Sequence, residues 1–161
     1  MAPPCGTKNG GPCEDNPTEN PIESQIIPYG VQRVGGISNY TGTRVAWIID
    51  SGIDIDHPDL NVDISRGYRA PEVAPFLLEN PFDDDNGHGT HIAGTIGAIN
   101  NEIGVIGVAP GVTVIPVKVL GENNYGWWTD IIAGIDYVAA NGNPGDVANL
   151  SIGGGARDAV D

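Results

Sequence analysis

Seven consecutive residues, RVAWIID at 44–50, form a nearly continuous apolar run that stops at an acid. A strand with one wet face would alternate polar and apolar side chains. A run of strand length without that alternation reads as a strand covered on both faces, as in a parallel sheet with helices packed above and below. Two further runs have the same character, VTVIPVKVL at 112–120 and a third around DVANLSI at 146–152.

The segments between these runs read as helices. One spans about 89–99 and is small and apolar. The other, TDIIAGIDYVAAN, puts Ile131, Ile132, Ile135, Val138 and Ala139 on one face, with Thr129 as its N-cap and Gly142 as its stop. Strand, helix, strand, helix, strand predicts an α/β fold, a doubly wound parallel sheet flanked by helices. The sheet is expected to be incomplete at its C-terminal end, because ARDAVD reads as the opening of a further helix and the strand near 146–152 lacks a neighbour. Residues 61–86 read as a long irregular excursion. In sheets of this kind the ligand crevice lies beyond the carboxyl ends of the strands, where Asp50 and the segment after Leu120 fall.

Residues 1–22 carry five prolines and hardly any large apolar side chain, so they cannot bury enough surface to offset the entropy of ordering. They read as a Gly/Pro-rich N-terminal extension, and 23–161 as one domain. Cys5 and Cys13 in that extension either close a small disulfide loop in an oxidising compartment or remain two idle thiols. The net charge of −14 repels nucleic acid and anionic membrane surfaces, so neither is an expected partner. No apolar run approaches the roughly 18 residues of a membrane span, and the first residues do not read as a signal peptide.

The chemistry concentrates in DDDNGHGTHIAGTIGA, residues 83–98. His88 sits between Gly87 and Gly89 at a helix start, and Asp50 sits where a buried strand opens into Ser51 and Gly52. A carboxylate there holds one imidazole nitrogen in its N–H form and leaves the other to accept a proton from a nucleophile. The bland alternative is an acid in a turn and a histidine at a helix end. His91 reads as a packing residue, and Asp83, Asp84 and Asp85 as a cation site, a bias on His88 or merely a solvated run.

VAWIIDSGIDIDHPDL at 45–60 and NGHGTHIAGTIGA at 86–98 closely resemble the aspartate and histidine signatures of the subtilisin-like serine proteases. The likeness continues through SQIIPYGV at 24–31, GVIGVAPGVTVIPVKVL at 104–120 and NLSIGG at 149–154. The resemblance implies that the domain is the N-terminal half of a secreted serine endopeptidase acting on protein or peptide substrates, with Asp50 and His88 catalytic. It further implies that Ser151, Ile152 and Gly153 form an edge that pairs with substrate backbone, opposite a rim at Leu120, Asn124 and Trp128. Trp127 and Trp128 otherwise read as surface or core packing. A structural calcium ion is implied at Gln25, Asp59, Ile99, Asn101, Ile103 and Val105, where the isoleucines and the valine offer only main-chain oxygen.

The departure is the nucleophile. Of the five serines, Ser24, Ser38, Ser51, Ser65 and Ser151, none has the family's Gly-Thr-Ser setting, and the oxyanion-hole asparagine has no counterpart. A complementary C-terminal chain carrying the catalytic serine is therefore the expected partner, and the 161 residues alone are expected to be inert. The competing readings are a pseudo-protease that binds peptides without cutting them and a metal-dependent hydrolase using His88, His91 and an acid.

Overall fold

A computed structural model describes residues 25–73 and 80–153. The 1–22 extension with Cys5 and Cys13, Ser24 and the ARDAVD segment fall outside the described residues.

The apolar run at 44–50 becomes β1, Ala46–Asp50, buried at every position. Four more strands follow: β2, Asn61–Val62; β3, Tyr68–Arg69; β4, Thr113–Lys118; and β5, Val147–Leu150. All pair in parallel, in the order β2-β4-β1-β5, with β3 continuing the edge that β2 begins along β4. The helices are α1, Tyr29–Arg33; α2, His88–Gly97; and α3, Trp128–Asn141. The excursion at 61–86 is therefore less irregular than expected, since it holds the two short strands and a 3-10 turn at Ile64–Arg66.

Successive side chains of a strand point to opposite faces, and the core divides accordingly. Ala46, Ile48 and Val114 pack with Ala93 of α2 in one cluster. Val45, Trp47, Ile49, Ile115 and Val117 pack with Ile131 of α3 in the other. The connection leaving β1 thus covers one face and the connection leaving β4 covers the other. These strands are neighbours, so a crevice opens between their carboxyl ends, the switch point of a doubly wound sheet. There the N–H groups of Val119 and Leu120 both donate to the carbonyl of Asp50, at 2.8 and 3.2 Å.

Three expectations about α3 and β5 need correction. Helix α3 starts two residues early, so Trp127 stands at the N-cap, makes no side-chain cap bond, and Thr129 lies inside the first turn. Its buried stripe runs through Asp130, Ile131 and Gly134, while Ile132 and Ile135 are exposed and Ala139 faces solvent. The close approach of the helix to β4 explains the shift, because a Cβ on Gly134 would sit 2.6 Å from Val119 Cγ1 and 3.2 Å from Val117 Cγ1. A larger residue there would push the helix off the sheet. Strand β5 lacks the full burial of β1, since it lies at the edge and exposes Val147 and Leu150.

Candidate active site

Asp50 is the last residue of β1 and is fully buried. His88 is the first residue of α2, and its Nδ1 lies 2.7 Å from Asp50 Oδ1. An ionised carboxylate only accepts, so the ring hydrogen belongs on Nδ1 and Nε2 is left with a free lone pair. The imidazole keeps 35% of its surface exposed while the carboxylate keeps none. One end of the pair is fixed in a dry pocket and the other faces the crevice. Asp50 Oδ1 also accepts from the Ser51 N–H at 2.7 Å, whereas Oδ2 is buried without a hydrogen-bond partner.

Two glycines bring strand end and helix start this close. A Cβ on Gly89 would run into the Gly52 carbonyl oxygen and lie 3.3 Å from Asp50 Cβ. Gly52 has φ +110°, and a Cβ there would fall 2.6 Å from the Asp83 carbonyl oxygen. Only hydrogen fits at either position.

The acidic run before His88 is built into this junction. Asp84 Oδ1 accepts from Ser51 Oγ at 2.8 Å, from Asn86 N at 3.1 Å and from Gly87 N at 2.9 Å. Its Oδ2 accepts from Thr90 N at 2.9 Å and Thr90 Oγ1 at 2.5 Å. Ser51 Oγ in turn accepts from Gly89 N at 3.0 Å. One carboxylate therefore ties the end of β1 to the first turn of α2, where the unpaired N–H groups of a helix attract negative charge. Partial burial pushes the Asp84 carboxyl up, but the bonds from Thr90, Gly87 and Ser51 outweigh it and hold the group below the ordinary carboxylate range. Asp85 pairs with the buried Lys118 at 2.7 Å, and Asp83 caps the Asp84 N–H at 3.1 Å. The solvated-run reading of these acids is overturned. His91 is exposed, so its packing assignment is overturned as well.

The remaining residues singled out in the sequence fall into two groups. Leu120 is buried in the apolar cluster against which Ile152 packs. Asn124 takes a left-handed φ of 57° in the turn closed by Gly121 and Tyr125, and Trp128 is 41% exposed at the start of α3. Ser151, Ile152 and Gly153 continue beyond the last paired residue of β5, with Ser151 and Gly153 exposed. In the second group, Gln25 Nε2 lies 2.6 Å from Ile99 O, 3.1 Å from Asn101 Oδ1, 2.9 Å from Ile103 O and 3.0 Å from Val105 O. Asn101 Nδ2 donates to the buried Asp59 at 2.8 Å. All six positions therefore converge.

The sequence model of the subtilase family matches residues 41–161. The chain belongs to the subtilase family. Over 136 residues it is 43% identical to subtilisin E of Bacillus subtilis (strain 168), covering 81% of this chain and 34% of that protein. The subtilisin of Bacillus pumilus is also 43% identical over 136 residues, with 81% of this chain and 46% of that protein covered. The crystal structure of a cold adapted subtilisin-like serine proteinase superposes with a TM-score of 0.60 at 33% identity, covering 76% of this chain and 41% of that one. The chain thus spans about a third to a half of the relatives it matches.

Ser51, Lys118 and Thr90 were not assigned roles from sequence, and Asp84 was left between a cation site, a bias on His88 and a solvated run. The available signals were a lone lysine in the apolar run 112–120 and an acid four residues before the histidine.

Proposed function

We propose that this chain supplies the aspartate and histidine of a serine endopeptidase, the serine coming from polypeptide outside these 161 residues. The observation that carries the reading is the 2.7 Å contact between a fully buried carboxylate and a partly exposed imidazole whose second nitrogen is free. In the reaction, His88 Nε2 takes the proton of the serine hydroxyl as its oxygen attacks the scissile carbonyl carbon. The resulting imidazolium is stabilised by Asp50 through Nδ1–H and hands the proton to the leaving amine as the C–N bond breaks. Water then repeats the sequence on the acyl ester, releasing the second product and restoring the serine. A carboxylate shielded from water, with one oxygen unpaired, holds an imidazolium more strongly than a solvated one would.

Three of the four described serines have hydroxyls engaged elsewhere, and the fourth, Ser38, lies outside the Asp50–His88 junction. Ser51 Oγ is committed to Asp84 and Gly89, Ser65 Oγ to Asp63, and Ser151 Oγ accepts from Asn149 at 2.9 Å. Protein or peptide substrate would lie along Ser151, Ile152 and Gly153, adding its backbone as a strand, with Leu120, Asn124 and Trp128 as the opposite rim. The packing of Ile152 on the cluster that holds Leu120 supports this arrangement.

The test is hydrolysis of a chromogenic peptide by these residues joined to, or mixed with, the serine-bearing polypeptide. Activity is expected, and Asp50→Asn is expected to lower kcat roughly 10⁴-fold, a scale taken from subtilisin and other triad proteases rather than worked out from this geometry. Binding of the peptide with no cleavage in any such combination would instead favour a pseudo-protease.

We also propose a structural calcium ion at the Gln25 site. The donor set fits: an amide NH₂ has two hydrogens, yet four oxygens crowd Gln25 Nε2, and the buried Asp59 carboxylate adjoins them. Gln25, Asp59 and Asn101 side chains with the carbonyls of Ile99, Ile103 and Val105 would hold a hard cation. When bound, calcium would cross-link the N-terminal segment, the segment after β1 and the loop after α2. An extracellular, calcium-rich setting fits this reading, and no described helix is long and apolar enough to cross a membrane.

A further inference from the structure

Lys118 closes β4 with a side chain of which none is exposed. Every other residue from Val114 to Leu120 is apolar and buried. A leucine or methionine would fill such a position without the several kcal/mol that removing an ammonium from water costs. Lysine is almost never fully buried unless it is paired, and here it is paired twice. Its Nζ donates to the main-chain oxygen of Ser51 and, at 2.7 Å, to Asp85 Oδ1.

The two acceptors lie on either side of the proposed catalytic pair. Ser51 follows Asp50 at the end of β1, and Asp50 is the register partner of Lys118 across the β1–β4 pairing. Asp85 lies three residues before His88, on the loop that feeds α2. A buried ion pair contributes little net stability compared with apolar residues of the same volume, and its better attested use is to fix one arrangement among several. Here the arrangement fixed is the distance from the carboxylate's strand to the histidine's helix.

We propose that Lys118 is a positioning residue for the Asp50–His88 pair, its buried ammonium locking the loop before His88 to the end of the aspartate strand through Asp85 and the Ser51 carbonyl. The proposal deepens the endopeptidase reading and rests on it for its catalytic consequence. Its geometric part belongs to this chain alone. Other charged groups around the junction are Asp50 on β1, Asp83 and Asp84 on the same loop, Asp54 beside Thr90, Glu122 whose carbonyl holds Asn86, and the exposed His91. Among the described residues no lysine or arginine other than Lys118 is hydrogen-bonded to Asp85 or to the Ser51 carbonyl, so no neighbouring cation takes over its role. The Asp84 network is untouched by its removal, which leaves α2 attached and lets the effect on alignment be read separately from folding.

The experiment has two readouts on the same variants, Lys118→Met and Asp85→Asn. On the 161-residue chain, proton NMR follows the Nδ1–H resonance of His88, which a short bond to carboxylate moves far downfield. The backbone amide spectrum reports the fold. Both variants are expected to keep a dispersed amide spectrum and to lose or broaden the downfield line. In the enzyme completed by its serine-bearing polypeptide, kcat is expected to fall roughly 10- to 100-fold with KM within about twofold, as displacement of a reacting group predicts. The double variant is expected to be no worse than Lys118→Met, because both changes break one link.

A retained downfield line together with unchanged kcat in a folded variant would overturn the proposal. So would a rise in KM with kcat unchanged. If Lys118→Met loses the amide dispersion, Asp85→Asn decides, since it preserves size and shape and removes only the charge. Failure of the unmodified completed enzyme to cleave any peptide would sink the endopeptidase reading, while the NMR readout still judges the role of Lys118.

Discussion

At the scale of single residues, Asp84 has the most donors to lose. Its carboxylate gathers five hydrogen bonds from Ser51, Asn86, Gly87 and Thr90, three of them from main-chain N–H groups whose direction the backbone fixes. Asp84→Ala is expected to destabilise the domain by about 3 kcal/mol, as judged by urea denaturation, because the orphaned N–H groups lose a charged acceptor. Because its folded-state carboxyl lies below the ordinary value of 3.8, ionisation of Asp84 favours folding. That contribution is present in full above about pH 4 and disappears as pH falls through the lower folded-state value. Unfolding followed from pH 6 down to pH 2 should therefore show an acid limb that flattens in Asp84→Ala. An unchanged limb would remove Asp84 as its source.

At the scale of elements, the approach of α2 to β1 depends on Gly89, where a side chain would meet the Gly52 carbonyl. Gly89→Ala is expected to cost about 1–3 kcal/mol of stability and to separate His88 from Asp50, with loss of the downfield imidazole proton. Intact NMR geometry in that variant would mean that the helix tolerates a shift we take to be excluded.

The legibility of the elements followed their burial. The run 44–50 declared a two-sided strand because both faces are covered, and the crevice position of Asp50 followed from strand direction alone. The start and face of α3 were misjudged because periodicity marks Ile132 and Ile135 as apolar but cannot show that Gly134 is the contact that seats the helix. The two short strands at 61–62 and 68–69 were missed for a related reason: at two residues each they carry no periodic signal and exist only through pairing with β4. In the site, the glycine-rich settings of Asp50 and His88 left a bland reading open, and the resemblance of the two motifs singled the pair out; the structure puts them 2.7 Å apart. The roles of Lys118 and Asp84 were not legible, since they depend on contacts across 33 and 6 residues that no local pattern encodes.

For the whole molecule, the calcium proposal makes a prediction that does not depend on activity. A cation bound at Gln25, Asp59 and Asn101 would tie three distant segments together and favour the folded state by mass action, by about 2.7 kcal/mol at a hundredfold excess over Kd. Calcium should raise Tm, chelation should lower it, and Asp59→Asn should abolish most of the difference. A Tm indifferent to calcium in the unmodified protein would remove the site. Strand β5 exposes Val147 and Leu150, an apolar strand edge of the kind that pairs with further polypeptide.

The account as a whole requires that His88, aligned by Asp50, make a serine nucleophilic. The direct measurement is fluorophosphonate labelling of the polypeptide that contains or co-purifies with these residues, compared between the unmodified protein and His88→Ala at equal folded concentration. We expect one serine to be labelled in the unmodified protein and the rate to fall at least about 10³-fold in the variant. Equal labelling of both, or of neither, would contradict the claim.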